Sequence, residues 1–455
     1  MTSLLRTPAQ LVLLVFCALC LQSTTHSFDF LRRLRQKKTD RLWTHLIGQK
    51  TMDDLHEAEK GNVLITDLDR NMRQLFVDVR RYSMKRANED MEKIYEQNLA
   101  EGKMQPVIPP TQPFPCDLSY ARSTFPPTSV HQLRPGDIDV IASVGDSLSA
   151  GNGIMSVGVV DIMNEYRAFS FSGGGYGDWR TYLTLPNILR VFNPNLYGYS
   201  TENELTIDST SHLNIAEPMI MSRDLPFQAS ILIDRLRQNP NVNMENHWKL
   251  LTIFVGNNDI CSDMCHHDNM TDFLYRHEID MRRTLTLLRD NVPRLLVNII
   301  TVPNMVVSIY PMRNAPFRCF VVHHLGCHCV FSHAVGEREL HRAYDYIKKW
   351  QEVDQYIAQL PEFQTNDFAV VYQPFLSHVS TPTKENGETD YRYFASDCFH
   401  FSQFGHASMA NSLWNNMLQP LGQKRQDMVP AFSEIECPNE QHPFIATLYN
   451  SWQRK

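Results

Sequence analysis

The sequence predicts an α/β fold: a mostly parallel sheet with helices on both faces. Two observations carry that expectation. Apolar, β-branched runs of strand length recur at Ile138, Trp248, Leu295 and Phe368. Between them lie longer segments whose apolar residues follow helical spacing. Parallel strands need a crossover to return the chain, and a helix is the usual one, so the alternation reads as parallel pairing.

The elements before the sheet read in order. Residues 1–26 have the pattern of a secretory signal peptide: Arg6, an apolar run from Leu11 to Leu21, then polar residues from Gln22 to Ser27. Residues 27–105 form a charged, mostly helical arm, a candidate propeptide. It is basic at Phe30–Lys38, and Asn71 to Leu99 places Leu75, Val79 and Tyr82 on one helical face. Residues 106–135 are a connector with Pro106, Pro109, Pro110, Pro113, Pro115, Pro126 and Pro127, which excludes a regular helix or a central strand.

Residues 136–425 hold the αβ alternation, and 426–455 form a C-terminal tail. The first strand starts at Ile138 and stops in Gly145-Asp146-Ser147-Leu148, with Gly151 and Gly153 just beyond. Ile188, Leu189, Val191 and Phe192 suggest a second strand within Asn187–Ser200. Asp224 to Arg237 is a helix. The Trp248 strand ends in Gly256-Asn257-Asn258-Asp259. A helix spans Thr271 to Asn291, and the Leu295 strand is stopped by Pro303. Ala334 to Leu360 is a long amphipathic helix, Phe368 to Tyr372 a strand. The last helix opens near Ser402 and carries Met409, Leu413, Met417 and Leu418.

Bulk properties narrow the function. A net charge of −7 gives no reason to expect nucleic acid as a partner, and 43% hydrophobic residues support a sizeable core. Beyond the leader no apolar stretch reaches the roughly 18 residues that span a bilayer, so no transmembrane segment is expected. Of ten cysteines, Cys17 and Cys20 lie in the leader. The remaining eight suit disulfides in a secreted, extracellular chain. Local bridges are the expectation, Cys261 with Cys265 and Cys319 with Cys327 or Cys329. Asn269-Met270-Thr271 is a glycosylation sequon for the same compartment.

Three chemical groups fall at strand ends. Ser147 follows the first strand, Asn258 follows the Trp248 strand, and Asp397-Cys398-Phe399-His400 opens the last helix. A hydrolase that works through a covalent intermediate needs a nucleophile, a base, a group to orient the base and donors for an oxyanion. Ser147, His400, Asp397 and Asn258 supply one of each. His406 is a second histidine in reach of the same helix and reads as structural. Cys319, His323, His324, Cys327, His328, Cys329 and His333, with Cys261, Cys265, His266 and His267, have the composition of a zinc site. Thiols in an oxidising compartment pair with each other, so no metal is expected.

These blocks, in this order, resemble those of the GDSL (SGNH) hydrolases. Pro127-Thr128-Ser129-Val130-His131-Gln132-Leu133-Arg134-Pro135, Glu165-Tyr166-Arg167, Thr184-Leu185-Pro186-Asn187-Ile188-Leu189, Val371-Tyr372-Gln373-Pro374-Phe375 and Leu413-Trp414-Asn415-Asn416-Met417-Leu418 are similar to the phospholipase B branch, as a single-unit member. The likeness covers roughly residues 114 to 450. It implies a three-layer α/β/α SGNH-hydrolase (flavodoxin-like) fold and a Ser147–His400–Asp397 triad. It also implies oxyanion donors from the Ser147 N–H, the Asn258 side chain and a glycine N–H. Ser172-Gly173-Gly174-Gly175-Tyr176 departs from the branch's usual Ser-x-Gly-Gly-Asp; Gly174 is the expected donor and Gly175 the alternative.

The implied activity is cofactor-free removal of acyl chains from phospholipids and lysophospholipids at a membrane or micelle surface. Met155, Phe169, Phe171 and Ile260 are candidates for an acyl groove. Two other readings are an esterase for another lipid or an acetylated sugar, and a secreted lipid-binding protein with an impaired site.

Overall fold

The computed structural model describes residues 67–451, apart from 159, 313, 314, 321, 333 and 334. The expected signal peptide, the Phe30–Lys38 segment and His333 lie outside the described residues. The chain divides into two compact units, residues 1–86 and 87–455. Helix α1 (Asp67–Glu89) passes through that division, and α2 (Met91–Ala100) lies within the second unit. There Ile94 packs with Met104, Ile154, Met155 and Phe169.

Among the described residues four parallel strands form one sheet in the order of the chain: β1 (Ile138–Gly145), β2 (Trp248–Phe254), β3 (Leu295–Ile300) and β4 (Phe368–Gln373). Gly145 pairs with Phe254, Phe254 with Ile300, and Ile300 with Gln373. The carboxyl ends of all four strands therefore lie level along one edge. β1 runs into the short α3 (Ser147–Ala150) at that edge.

Side chains alternate between two cores, as strand geometry requires. One face of the sheet presents Ile141, Leu250, Phe254 and Leu296 to α4 (Leu185–Phe192) and, later in the chain, to the helix Gln403–Leu418. The other presents Val140, Leu251, Ile253 and Val297 to α5 (Leu225–Gln238) and α6 (Met270–Asn291). Sheets covered on both faces read as near-continuous apolar runs, which is why these strands were legible. Trp414 is fully buried and its ring lies 5.1 Å from that of Phe192, so truncating it costs about 3–5 kcal/mol. After β3 the chain makes a long excursion through α7 (His328–Phe331), and α8 (Glu337–Ala358) returns it to β4. The Gln403–Leu418 helix is α9; Ser402 caps it by accepting from the Gly405 N–H.

The strand expected within Asn187–Ser200 is instead α4. Thr184 accepts the Asn187 N–H and Pro186 sits in the first turn, so the start signals favour a helix. The apolar density that suggested a strand is the face α4 turns to the core. Among the described residues the β1 edge is met by single bridges, Val140 with Tyr197 and Ser143 with Asn214.

The expected local disulfides are also corrected. Cys261 pairs with Cys327, Cys265 with Cys329, Cys319 with Cys398 and Cys116 with Cys437. Cys261 and Cys265 lie one turn apart on a continuous helical run, and both sulfurs reach across to the facing Cys327–Phe331 segment. Loop-closure entropy grows slowly with length, so nearness in sequence is a weak guide to pairing.

Candidate active site

The site starts from a constraint on β1. A side chain at Gly145 would meet the Phe254 carbonyl at 2.1 Å, and its φ of +144° suits glycine, so the strand can end close against β2 only here. Gln228 clamps that end: its side chain accepts the Gly145 N–H and donates to the carbonyls of Gly145 and Ile215. Asp146 then caps α3 by accepting the Leu148 N–H, and Ser147 occupies the first helical position. Gly151, at φ +82°, turns the chain away after one turn. The hydroxyl of Ser147 is left at the carboxyl edge of the sheet, partly exposed.

His400 Nε2 lies 2.8 Å from Ser147 Oγ, and His400 Nδ1 lies 2.5 Å from Asp397 Oδ2. The other Asp397 oxygen accepts the backbone N–H groups of Phe399 and His400, both at 3.0 Å. Burial alone would raise the Asp397 pKa. The His400 charge, its hydrogen bond and the two backbone donors outweigh that and hold the carboxyl below its ordinary value. Burial likewise pulls His400 down, but Asp397, helped by the more remote Asp146, leaves it raised overall. The turn between them places Cys398 at φ +60°, where its sulfur is bonded to Cys319 and its carbonyl lies 3.1 Å from His323 Nε2.

Asn258 is partly exposed at the end of β2 and donates from Nδ2 to the Ile220 carbonyl at 2.8 Å. An amide nitrogen carries two hydrogens, so the second donor is left over. Neighbouring Asn257 donates to Asp146 Oδ2, and Asp259 accepts from the N–H and hydroxyl of Ser222. Burial pushes the Asp146 carboxyl up to about 6, although the Leu148 and Asn257 bonds oppose it.

Other sequence candidates lie elsewhere. The Gly174 N–H donates to the Ser170 carbonyl and the Gly175 N–H to the Ser200 carbonyl, so neither is available to an oxyanion. His406 is buried; its Nδ1 accepts the Phe171 N–H, and burial pulls it down to about 3, which makes it a fixed neutral acceptor. The acyl-groove candidates do not share one groove. Phe171 packs in the core with Phe254, and Ile260 belongs to another cluster around Trp350. Met155 and Phe169 line a cavity of about 350 Å³ with Met91, Tyr95, Tyr176 and Tyr182. The cysteines of the imagined zinc set are all in disulfides. Asn269 is exposed and caps α6 through Oδ1, which accepts the Thr271 N–H.

Sequence reasoning missed the segment from Ile215 to Asp224. It supplies the Ile220 carbonyl that holds Asn258 and the Ser222 that holds Asp259, and Met219 adopts φ +65° within it. No residue type announces this, since a methionine at positive φ is uncommon. It also missed Gln228. Arg167, expected only as part of a block, is fully buried and joins Glu165, Thr206 and Glu217, which fixes the same segment from behind.

Residues 141–413 match the sequence profile of the GDSL-like lipase/acylhydrolase family. The human protein named phospholipase B1, membrane-associated, is 38% identical over 338 residues, covering 72% of this chain and 23% of its own length. The mouse protein of that name is 37% identical over 339 residues, with coverages of 73% and 23%. The chain thus spans about a quarter of the length of these curated relatives. The crystal structure of phospholipase A1 from Streptomyces albidoflavus is 13% identical, covering 59% of this chain and 95% of its own, with a TM-score of 0.29.

Proposed function

This chain belongs to the GDSL-like lipase/acylhydrolase family, the carboxylic ester hydrolases, and we propose that the esters it cleaves are those of phospholipids and lysophospholipids. The observation that carries the chemistry is the Ser147–His400–Asp397 chain of hydrogen bonds at the carboxyl edge of β1. In an open α/β sheet that edge is where ligands bind.

In this reading Ser147 Oγ attacks the acyl carbonyl while His400 Nε2 takes its proton. Asp397 holds the imidazole by Nδ1 and stabilises the cation that forms. The new oxyanion receives the Ser147 N–H and the second Asn258 N–H, the first being spent on orienting the amide against Ile220. Collapse expels the glycerol alkoxide, protonated by His400, and leaves an acyl-Ser147 ester. Water then attacks that ester by the same route in reverse, releasing fatty acid.

Two features support a lipid substrate. The relatives carry phospholipase names. The excursion after β3 exposes Tyr310, Phe317, Phe320 and Leu325, and Cys319 ties it to the Asp397–His400 turn. An aromatic loop fixed beside the site suits approach to a lipid surface. Four disulfides support a secreted, extracellular setting with Asn269 as a glycan site. Among the described residues no helix is long and apolar enough to cross a membrane. The impaired-site reading draws on the altered glycine block, whose Gly174 and Gly175 N–H groups are spent on backbone carbonyls; the hydrogen-bonded Ser147–His400–Asp397 relay supports hydrolysis over it.

The test is fatty acid release from a diacyl phospholipid and from its lysophospholipid, wild type beside Ser147→Ala, with chelator present. Release by wild type alone supports the proposal. Equal release by both proteins sinks the mechanism, and release from simple esters but from neither phospholipid sinks the substrate.

A further inference from the structure

Outside the triad, among the described residues, one cluster of ligating atoms has no role in the proposed reaction. The Nε2 atoms of His266 and His328 lie 2.9 Å apart, on segments 62 residues apart in sequence. His266 follows the helical turn after β2 and is exposed; His328 opens α7 and is partly buried. The ligating atoms of Cys265, His266, His328 and Cys329 all fall within 4.8 Å of one another.

We propose that His266 and His328 form a two-imidazole site for a divalent transition-metal ion of the zinc or copper class. Bond lengths favour it. Two nitrogens bound at about 2.0–2.1 Å are separated by roughly 2.9 Å at the right angle of tetragonal copper(II) and by about 3.3–3.4 Å at the tetrahedral angle of zinc. The pair thus already has the bite of a copper(II) ion, and a small movement of the exposed His266 gives that of zinc.

The site is also preorganised. Cys265, next to His266, is bonded to Cys329, next to His328, and Cys261–Cys327 pins the same two segments again. Holding both segments in place before binding removes part of the ordering cost. His328 also interacts with the backbone of Leu325, the kind of outer contact that orients a ligating imidazole. His267, the next residue, is not part of the set, because its Nε2 lies 3.0 Å from Asp263. With the disulfide intact the sulfurs are spent on each other, and the metal would keep open positions for water.

The alternative is that one imidazole donates to the other and nothing binds. Titration calorimetry of zinc chloride, and separately of copper(II), into the chelator-stripped, disulfide-intact protein decides between them. The expected result is one site per chain, weakened at least about tenfold by His266→Ala or His328→Ala and unchanged by His267→Ala. Zinc should raise the thermal midpoint of wild type by mass action and leave that of His266→Ala unmoved. The exposed His266→Gln replaces any variant that fails to fold. Absence of binding, or binding equal in wild type and all these variants, overturns the site.

Discussion

His400 Nε2 lies 2.8 Å from Ser147 Oγ although 253 residues separate them. The sheet makes the meeting possible. Ser147 follows β1 directly, whereas His400 arrives on a turn beyond β4, three strands away. A return path from β4 is needed. Residues 374–399 provide it, and α9, which follows His400, anchors that path by packing against α4 and β4.

Removing the Ser147 hydroxyl removes the proposed nucleophile of this relay. Ser147→Ala is expected to lower kcat by about 10⁴–10⁶ with KM nearly unchanged. The thermal midpoint should stay put, since the side chain is partly exposed and its loss opens no cavity. Steady-state kinetics on a soluble ester, with circular dichroism as a control, checks both.

The proposed mechanism needs neutral His400, so kcat/KM should rise with pH through the His400 pKa. Asp397 holds that pKa above its ordinary value, with Asp146 adding a smaller push. Asp397→Asn removes the main raising charge while burial persists. The limb should therefore move to lower pH, and kcat at the plateau should fall by roughly 10⁴ through loss of imidazole orientation. Asp146→Asn should move the limb the same way but less. A limb that stays in place in Asp397→Asn would assign it to another group.

Asn258 and Gly174 separate catalysis from folding. Asn258→Ala deletes the proposed donor to the developing oxyanion and should lower kcat by about 10²–10³. Gly174 does something else. A side chain there would meet the Ala168 carbonyl and the Ser170 nitrogen at 2.5 Å, both backbone. Gly174→Ala should cost about 1–3 kcal/mol of stability, with activity per folded molecule retained. Denaturant titration beside active-site counting distinguishes the two effects.

These contrasts show what the sequence could and could not convey. Ser147, Asp397 and His400 were legible because each sits in a short block whose chemistry is local. The strands were legible because burial on both faces leaves mostly apolar residues. α4 was not, because Ile188, Leu189 and Phe192 give one apolar face in a helix of only 8 residues. Gly174 and Gly175 were misread because close packing and oxyanion donation both call for glycine. At Gly175 the constraint is the Tyr199 ring, which a side chain would meet at 2.0 Å. The disulfides, the Ile220 carbonyl and the His266–His328 pair depend on contacts between distant segments, and no local pattern encodes them.

Phe317 is 85% exposed, and its ring lies stacked 5.9 Å from that of Phe320. Water gains nothing from such a pair, whereas a bilayer interface would bury it, at about 1.5–3 kcal/mol per side chain. The double variant Phe317→Ser/Phe320→Ser should therefore lose about tenfold or more in activity on phospholipid vesicles. Turnover of a short, monomeric ester should be unchanged, because neither ring belongs to the relay. Equal losses on both substrates would mean that the loop supports the site and does not dock.

The Cys319–Cys398 bridge joins that loop to the turn between Asp397 and His400. Cys398 holds φ +60° without being glycine, a conformation that persists only when its surroundings impose it. Those surroundings are the bridge, the His323 contact to the Cys398 carbonyl, and the paired backbone of Ala395 with His400 and Cys398. Removing the bridge as Cys319→Ala/Cys398→Ala frees a span of 79 residues and keeps the unfavourable φ. Stability should fall by about 2–4 kcal/mol. In the molecules that stay folded the turn should relax and His400 drift from Ser147, lowering kcat by up to about 10². Cys319→Ala/Cys398→Gly lacks the same bridge, but its glycine accepts the turn without strain, so it should recover part of kcat at similar stability. Unequal kcat at equal stability would place the role of Cys398 in backbone geometry. Wild-type kcat in both variants would show that the two backbone N–H bonds to Asp397 hold the turn unaided.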